Sequence, residues 1–190
     1  SGTDRMERSG TRTGRHCMKI CVALIGCGTV GSIHAARLAG QRGVKLTAVY
    51  SPVSEAAREF AGRYEVRSVA SSVEEAASMA DAAIVCSPSP LHFEQAQTCM
   101  RAGRHVLVEL PPCGDVREAE EIGRIARQQH VIAGCAHTAR YLEPYVRIHA
   151  ALRSGLLGEI QEISYFRYPH LPPRLWADNA LVHHAAHILD

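Results

Sequence analysis

Two segments of this chain combine residue types and spacings that can do chemistry. The first is the glycine cluster Gly26-Cys27-Gly28-Thr29-Val30-Gly31. It follows the apolar run Lys19–Ile25, and beyond it Ile33, Ala36 and Leu38 recur at helical spacing. A second apolar run, Val44–Tyr50, ends about twenty residues further on, which completes the strand–turn–helix–strand context of a dinucleotide fingerprint. In that context each glycine has its own task. Gly26 permits the tight turn, Gly28 lets a pyrophosphate approach the backbone, and Gly31 lets the helix pack close to the sheet. The free N–H groups of the Cys27-Gly28-Thr29-Val30 stretch at the head of the helix would then hold the phosphates. Ser51 stands where Asp or Glu would accept from a ribose 2′-hydroxyl, and its own hydroxyl does not repel a 2′-phosphate. NADP is therefore expected, with NAD possible. No Arg or Lys is adjacent to Ser51, and Arg58 is a turn and more along the next helix.

The second segment is His183-His184-Ala185-Ala186-His187. On a helix His183 and His187 share one face, while His184 points about 100° away. Such histidines can be metal ligands, packing or solvated residues, or acid/base groups. A catalytic zinc needs a third ligand, and no H-E-x-x-H glutamate is present, so no metal is expected. A histidine base is reasonable chemistry, because it titrates near neutrality and can take a hydroxyl proton while hydride leaves the same carbon. Tyr165, Arg167, His170 and Trp176 are weaker candidates for substrate contact and read first as structural.

These groups are positioned by a regular alternation of elements. After Ser51-Pro52, read as a helix start with Pro at its first position, a helix carries Ala56, Ala57, Phe60 and Ala61. Ser72-Val73-Glu74-Glu75 is a capping box before a short helix. Ala82–Cys86 is a strand closed by the Ser87-Pro88-Ser89-Pro90 turn, Leu91–Gly103 a helix, and His105–Glu109 a strand. Asp115 caps a helix to about Gln129, Val131–Cys135 is a strand, and Tyr141–Arg153 a helix with Gly155 behind it. Short apolar strands alternating with amphipathic helices specify βαβ units and a parallel sheet covered on both faces. After Gly158 the pattern changes to a longer strand, Glu159–Tyr168, then the proline-rich loop Pro169–Pro173 and a helix from Asn179. The expected division is a disordered extension over 1–17, a dinucleotide-binding domain over 18–136, and the beginning of a second domain over 137–190, broken off at Asp190.

Composition agrees. The 190 residues are 46% hydrophobic and 21% charged with a net charge of +2, a globular balance that gives neither a nucleic-acid nor a membrane-surface footprint. No apolar run is long enough to cross a membrane as a helix. Seven scattered cysteines without a C-x-x-C pair and without a secretory signal read as reduced thiols in the cytoplasm, with neither a disulfide framework nor a zinc site.

Four segments together carry a family resemblance: Gly26–His34 (G-C-G-T-V-G-S-I-H), Ser87–His92 (S-P-S-P-L-H), Ala102–Pro111 (A-G-R-H-V-L-V-E-L-P) and His137–Tyr141 (H-T-A-R-Y). In this order the chain from Met18 to Asp190 resembles the Gfo/Idh/MocA oxidoreductases. The resemblance implies a Rossmann doubly wound parallel sheet followed by the start of an α/β domain with a mostly antiparallel sheet. It implies an NAD(P)-dependent dehydrogenase of a small-molecule substrate, a homo-oligomer when full length.

Position by position, it places Ser87 and Pro88 beside the nicotinamide ribose, with Leu91 and His92 opening the helix beyond. Glu109 and Pro111 match the ends of the family's E-K-P, and Arg140 matches its R-F. The family's lysine, commonly catalytic, is here Leu110, which cannot carry a proton. The Leu110–Pro111 bond is expected to be cis. His187 falls on the family's histidine and His183 replaces its aspartate, so the resemblance casts His187 as base and His183 as its positioning partner. V-E-x-P without lysine, H-T-x-R, W-x-D and H-H-A-A-H are together similar to the 4-carboxy-2-hydroxymuconate-6-semialdehyde dehydrogenase-like subgroup, in which a cyclic hemiacetal is oxidised with NADP. The expected activity is hydride transfer between a nicotinamide cofactor and a hydroxyl or hemiacetal carbon of a small carboxylated or sugar-like substrate, although the fragment itself is expected to be inactive. The rivals are a non-catalytic dinucleotide-binding sensor and an ordinary sugar dehydrogenase with displaced acid/base residues.

Overall fold

Six strands and six helices alternate along the chain in a computed structural model, which describes residues 19–164 and residue 166. In chain order they are β1 (Ile20–Ile25), α1 (Thr29–Ala39), β2 (Val44–Tyr50), α2 (Ser54–Arg63), β3 (Ser68–Val69), α3 (Val73–Ser78), β4 (Ala82–Val85), α4 (His92–Arg101), β5 (His105–Val108), α5 (Val116–Gln129), β6 (Ala133–Cys135) and α6 (Glu143–Arg153). Short 3₁₀ turns at Ser89–Leu91 and Thr138–Tyr141 precede α4 and α6. The strands form one sheet in the order β3-β2-β1-β4-β5-β6, and every neighbouring pair is parallel. This is the Rossmann order, with its reversal between β1 and β4.

Alternation along the strands divides the core. Val22 and Leu24 of β1, Val49 of β2 and Ile84 of β4 pack with Ala35 of α1 and Phe60 and Ala61 of α2. Ala23, Ile25, Ala48, Val85, Val106 and Val108 face the other way, onto Ala76 and Ala77 of α3, Ala96, Cys99 and Met100 of α4, and Ile125 of α5. Both faces of the sheet are thus dry, which a parallel sheet requires. The β1/β2 register shifts at Thr47, whose hydroxyl lies 3.2 Å from the Val22 carbonyl and 3.0 Å from that of Met79.

Helix starts follow the sequence signals where a cap is present. Ser72 Oγ accepts from the Glu75 N–H (3.1 Å) at the head of α3, and Asp115 Oδ1 from the Glu118 N–H (2.9 Å) at the head of α5. In both, the return arm reaches one residue before the cap, with the carboxylates of Glu75 and Glu118 accepting from the N–H groups of Ser71 and Gly114.

Several expectations are corrected. Ser51-Pro52 does not start α2. The Ser51 hydroxyl instead accepts from the Val53 N–H (3.3 Å) in a local turn, and the helix begins at Ser54 with Val53 as its cap. The buried positions of α1 are Gly31 and Ala35, with Ile33 and Ala36 exposed, because the close approach of Gly31 to β1 sets the rotation of the helix. The two-residue strand β3 is too short to leave a sequence signal. Over 159–164 there is no strand, and Ile160 and Ile163 are exposed; among the described residues no neighbouring chain pairs with this segment, and a strand without a partner has no ladder to form. Among the described residues no helix is long and apolar enough to cross a membrane.

Candidate dinucleotide-binding site

The carboxyl ends of the strands are aligned by a row of main-chain hydrogen bonds. The Gly26 N–H donates to the Tyr50 carbonyl (2.9 Å), Cys86 to Ile25 (2.8 Å), Glu109 to Val85 (2.9 Å) and Ala136 to Val108 (2.8 Å). Each bond lies one step past a strand, so the loops that begin at Gly26, Ser51, Ser87, Glu109 and His137 leave the sheet along one edge. At the β1/β4 reversal α1 and α4 depart to opposite faces, which opens a crevice between the Gly26 and Ser87 loops.

The three glycines in that crevice are required for different reasons. Gly26 has φ +112°, and a Cβ on it would sit 2.6 Å from the Ser87 nitrogen and 2.7 Å from the Cys86 carbonyl. It is where the two loops touch. A Cβ on Gly31 would lie 2.3 Å from the Gly26 oxygen. Gly28 is the opposite case: it caps α1 at φ −83°, and a Cβ there would meet nothing within 4 Å. No contact among the described residues demands glycine at that position. No side chain caps α1 and no acidic residue occupies its first turn, so its leading N–H groups face the crevice with an uncompensated positive end. An open glycine at a bare helix head fits a pyrophosphate. Thr29 and Val30 are exposed there. The Cys27 thiol, 3.7 Å from the Tyr50 carbonyl, is pushed up to about 11 by burial and stays neutral beside an anion. Burial, with Glu109 and Cys27 nearby, pushes Cys86 up to about 12.

At the end of β2, half-buried Ser51 uses its hydroxyl on Val53, and no carboxylate occupies the position. The first acidic residue beyond it is Glu55, whose carboxylate is held by Arg58 at 2.9 Å; the same guanidinium reaches Ser54 Oγ at 3.4 Å.

The opposite wall is made by two loops. The Ser87 hydroxyl donates to buried Gln95, and Pro88 leads into the 3₁₀ turn that ends at exposed Leu91. His92 is only 2% exposed. Its Nδ1 lies 2.7 Å from the Pro111 carbonyl and its Nε2 2.7 Å from that of Ser87, so its ring spans the two loops from below. Glu109 Oε1 accepts from His34 Nε2 (2.7 Å), and Oε2 lies 3.3 Å from the Leu110 N–H. Leu110 is 7% exposed, and the Leu110–Pro111 bond is cis as expected. Arg140 lies exposed in the turn after β6.

The fold therefore brings Gly26 to Gly31, Ser51, Ser87, Pro88, Leu91, Glu109 and Leu110 to one edge, with His92 beneath the loops. His183 and His187, with Tyr165, Arg167, His170 and Trp176, lie outside the described residues. Two residues of this network were not anticipated. His34 comes three residues after Gly31 on one helix face, and Gln95 three residues after His92; that spacing was the available signal.

Residues 20–137 match the family model described as an oxidoreductase family with an NAD-binding Rossmann fold, GFO_IDH_MocA. Over 179 residues the chain is 33% identical to a 4-carboxy-2-hydroxymuconate-6-semialdehyde dehydrogenase of Sphingobium sp. (strain NBRC 103272 / SYK-6), covering 89% of this chain and 56% of that one. It is 26% identical to the inositol 2-dehydrogenase of Rhizobium meliloti (strain 1021), covering 82% and 48%. The crystal structure of apo scyllo-inositol dehydrogenase from Lactobacillus casei superposes with a TM-score of 0.70 at 25% identity, over 75% of this chain and 44% of that one. The chain spans about half the length of the curated relatives it matches. With the sheet order, the glycine geometry and these matches in agreement, the chain belongs to the Gfo/Idh/MocA oxidoreductase family and carries its NAD-binding Rossmann fold.

Proposed function

We propose that this protein is an NAD(P)-dependent dehydrogenase, preferring NADP, that transfers hydride to or from a hydroxyl or hemiacetal carbon of a small carboxylated or sugar-like substrate. The observation that carries this reading is the bare head of α1, where a Cβ on Gly28 would meet nothing within 4 Å. When bound, the nicotinamide supplies the hydride chemistry. The chain's own residues bind and orient. The N–H groups at the head of α1 receive the phosphates, and Ser51 leaves room for a 2′-phosphate without a carboxylate to repel it. The Ser87–Pro88 and Glu109–Pro111 loops wall the nicotinamide end. The substrate class is supported by the relatives' names, which specify a semialdehyde and an inositol dehydrogenase.

Leu110 offers hydrocarbon where a proton carrier would stand, so proton transfer falls to another group. We assign it to His187, with His183 positioning it. The residues after 136 open a second domain with a mostly antiparallel sheet, and the protein assembles as a homo-oligomer. A cytoplasmic location agrees with the free thiols of Cys21, Cys27, Cys86, Cys99 and Cys113.

Leu110 also favours a second reading, a sensor that binds the dinucleotide without turning it over. Fluorescence titration with NADPH and NADH, followed by turnover against hemiacetals, semialdehydes and polyols, separates them. Binding with turnover supports the dehydrogenase, binding without turnover supports the sensor, and no binding of either dinucleotide overturns both.

A further inference from the structure

A side-chain to side-chain hydrogen bond between residues 75 positions apart spans the two halves of the crevice. His34 lies on α1, one turn beyond the glycines at its head, and Glu109 opens the loop after β5. Their side chains are 20% and 21% exposed, so the pair is largely withdrawn from solvent yet borders the crevice. We infer that His34 is a positioning residue, whose hydrogen bond to Glu109 ties the helix that receives the dinucleotide phosphates to the loop that flanks the nicotinamide end. This rests on the dinucleotide reading above and adds to it how the two ends of the ligand are held in register.

The contact is part of a chain that closes around the site. From Glu109 it passes through the Leu110 and Pro111 backbone to the Pro111 carbonyl, then across the His92 ring to the Ser87 carbonyl. The Gly26 loop is pressed against Ser87 from the other side, with no room for a Cβ between them. Glycine loop, Ser87 loop and Glu109 loop thus form a closed frame, and His34 is the member that fastens α1 to it. Three groups face the Glu109 carboxylate: His34 from α1, His92 from α4, and the Cys86 thiol from the end of β4. Burial pushes the carboxyl up, but the hydrogen bond and charge of His34, the Leu110 N–H and His92 more than reverse this and leave it below its usual value. The carboxylate is therefore ionised as an acceptor for His34 at neutral pH.

A register device has a distinctive signature. A ligand that touches only α1 does not need it, while one that spans both ends does. The test compares the wild-type-preferred dinucleotide with its own nicotinamide-free fragment: NADPH with 2′-phospho-ADP-ribose, or NADH with ADP-ribose. Binding is measured by fluorescence and calorimetry on wild type, His34→Ala and His34→Gln, with thermal midpoints recorded alongside. His34→Ala is expected to weaken the whole dinucleotide about tenfold while the fragment stays within about twofold. His34→Gln, whose amide can still donate toward Glu109, is expected to restore most of the loss. Equal weakening of both ligands, or of neither, would overturn the positioning role, as would failure of the glutamine to rescue. A wild type that binds neither ligand would overturn the dinucleotide reading itself, and the positioning role with it.

Discussion

Gly28 and Gly31 are both glycines of one fingerprint, yet the structure separates their tasks sharply enough to be tested by one substitution at each. A Cβ on Gly31 would lie 2.3 Å from the Gly26 oxygen and 3.3 Å from Leu24 Cδ2. The first distance is about 1 Å inside an ordinary C···O contact. The obstruction is backbone at the end of a central strand, so no flexible side chain can swing away. Overpacking of this kind typically costs about 1–3 kcal/mol, and the upper half of that range applies because Gly26 is itself wedged against Ser87. Alanine's better helix propensity returns about 1 kcal/mol at most. The net loss for Gly31→Ala is then about 1–2 kcal/mol, or a fall in thermal midpoint of about 2–8 °C for a chain of this size. Gly28→Ala meets nothing within 4 Å and keeps an allowed φ of −83°, so only the weaker capping of alanine counts, about 0.5 kcal/mol. Its effect should fall on binding, since the methyl enters the space where the pyrophosphate approaches, and affinity should drop tenfold or more, about 1.4 kcal/mol. Urea denaturation and fluorescence titration of both variants read the two effects separately. If Gly28→Ala bound NADPH as tightly as wild type, the phosphates would not lie over that residue; if Gly31→Ala unfolded at the wild-type midpoint, the helix–strand approach would not be set by this contact.

Three further outcomes are expected. Ser51→Asp should shift preference from NADP toward NAD by about tenfold, about 1.4 kcal/mol, measured by titrating both cofactors; a wild type that already binds NAD tenfold tighter would refute the role given to Ser51. His187→Ala should lower kcat by about a hundredfold, with His183→Ala costing less and the wild-type oxidation rate rising with pH through one ionisation near that of histidine; unaltered kcat, or loss of activity with a chelator that zinc restores, would remove the base role. Because Glu109 has its folded pKa held below the usual 4.5, its contact with His34 stabilises the fold above that pH and is lost as pH falls through the depressed value. The stability difference between wild type and Glu109→Gln should therefore be present at about pH 5 and shrink as pH falls below 4.5 and Glu109 becomes neutral like the glutamine; a gap that widened below that pH would contradict the sign of the shift.

Much of the fold was legible because its strands are short apolar runs between amphipathic helices, with α3 and α5 capped by side chains, all local signals. The glycine cluster was legible for the same reason, since its meaning depends on the strand before it and the helix after it. What was not legible depended on partners distant in sequence. Of Ile33, Ala36 and Leu38 only Leu38 packs against the core, because the rotation of α1 is decided by the fit of Gly31 against Gly26, which only the folded backbone reveals. Ser51-Pro52 had the composition of a helix start, but the hydroxyl was taken by Val53 and the start moved on. His34 and Glu109 each stood in a recognisable motif, yet nothing in either motif says they meet across the reversal between β1 and β4.

Alanines recur in the layer under α3 and α4, beside larger residues such as Ile25, Val85 and Met100: Ala23, Ala48 and Ala83 from the strands, Ala76, Ala77 and Ala80 in and just after α3, and Ala96 in α4. A methyl group has no χ angle, so ordering these positions freezes no side-chain rotors and forfeits no rotamer entropy. It also means that these positions cannot loosen by rotamer hopping. Helix α4, which begins at His92 and carries the Ser87–Pro88 loop at its head, stands partly on these groups. Its height above the sheet is set there in part by backbone and methyl contact, which stiffens that side of the crevice at its base.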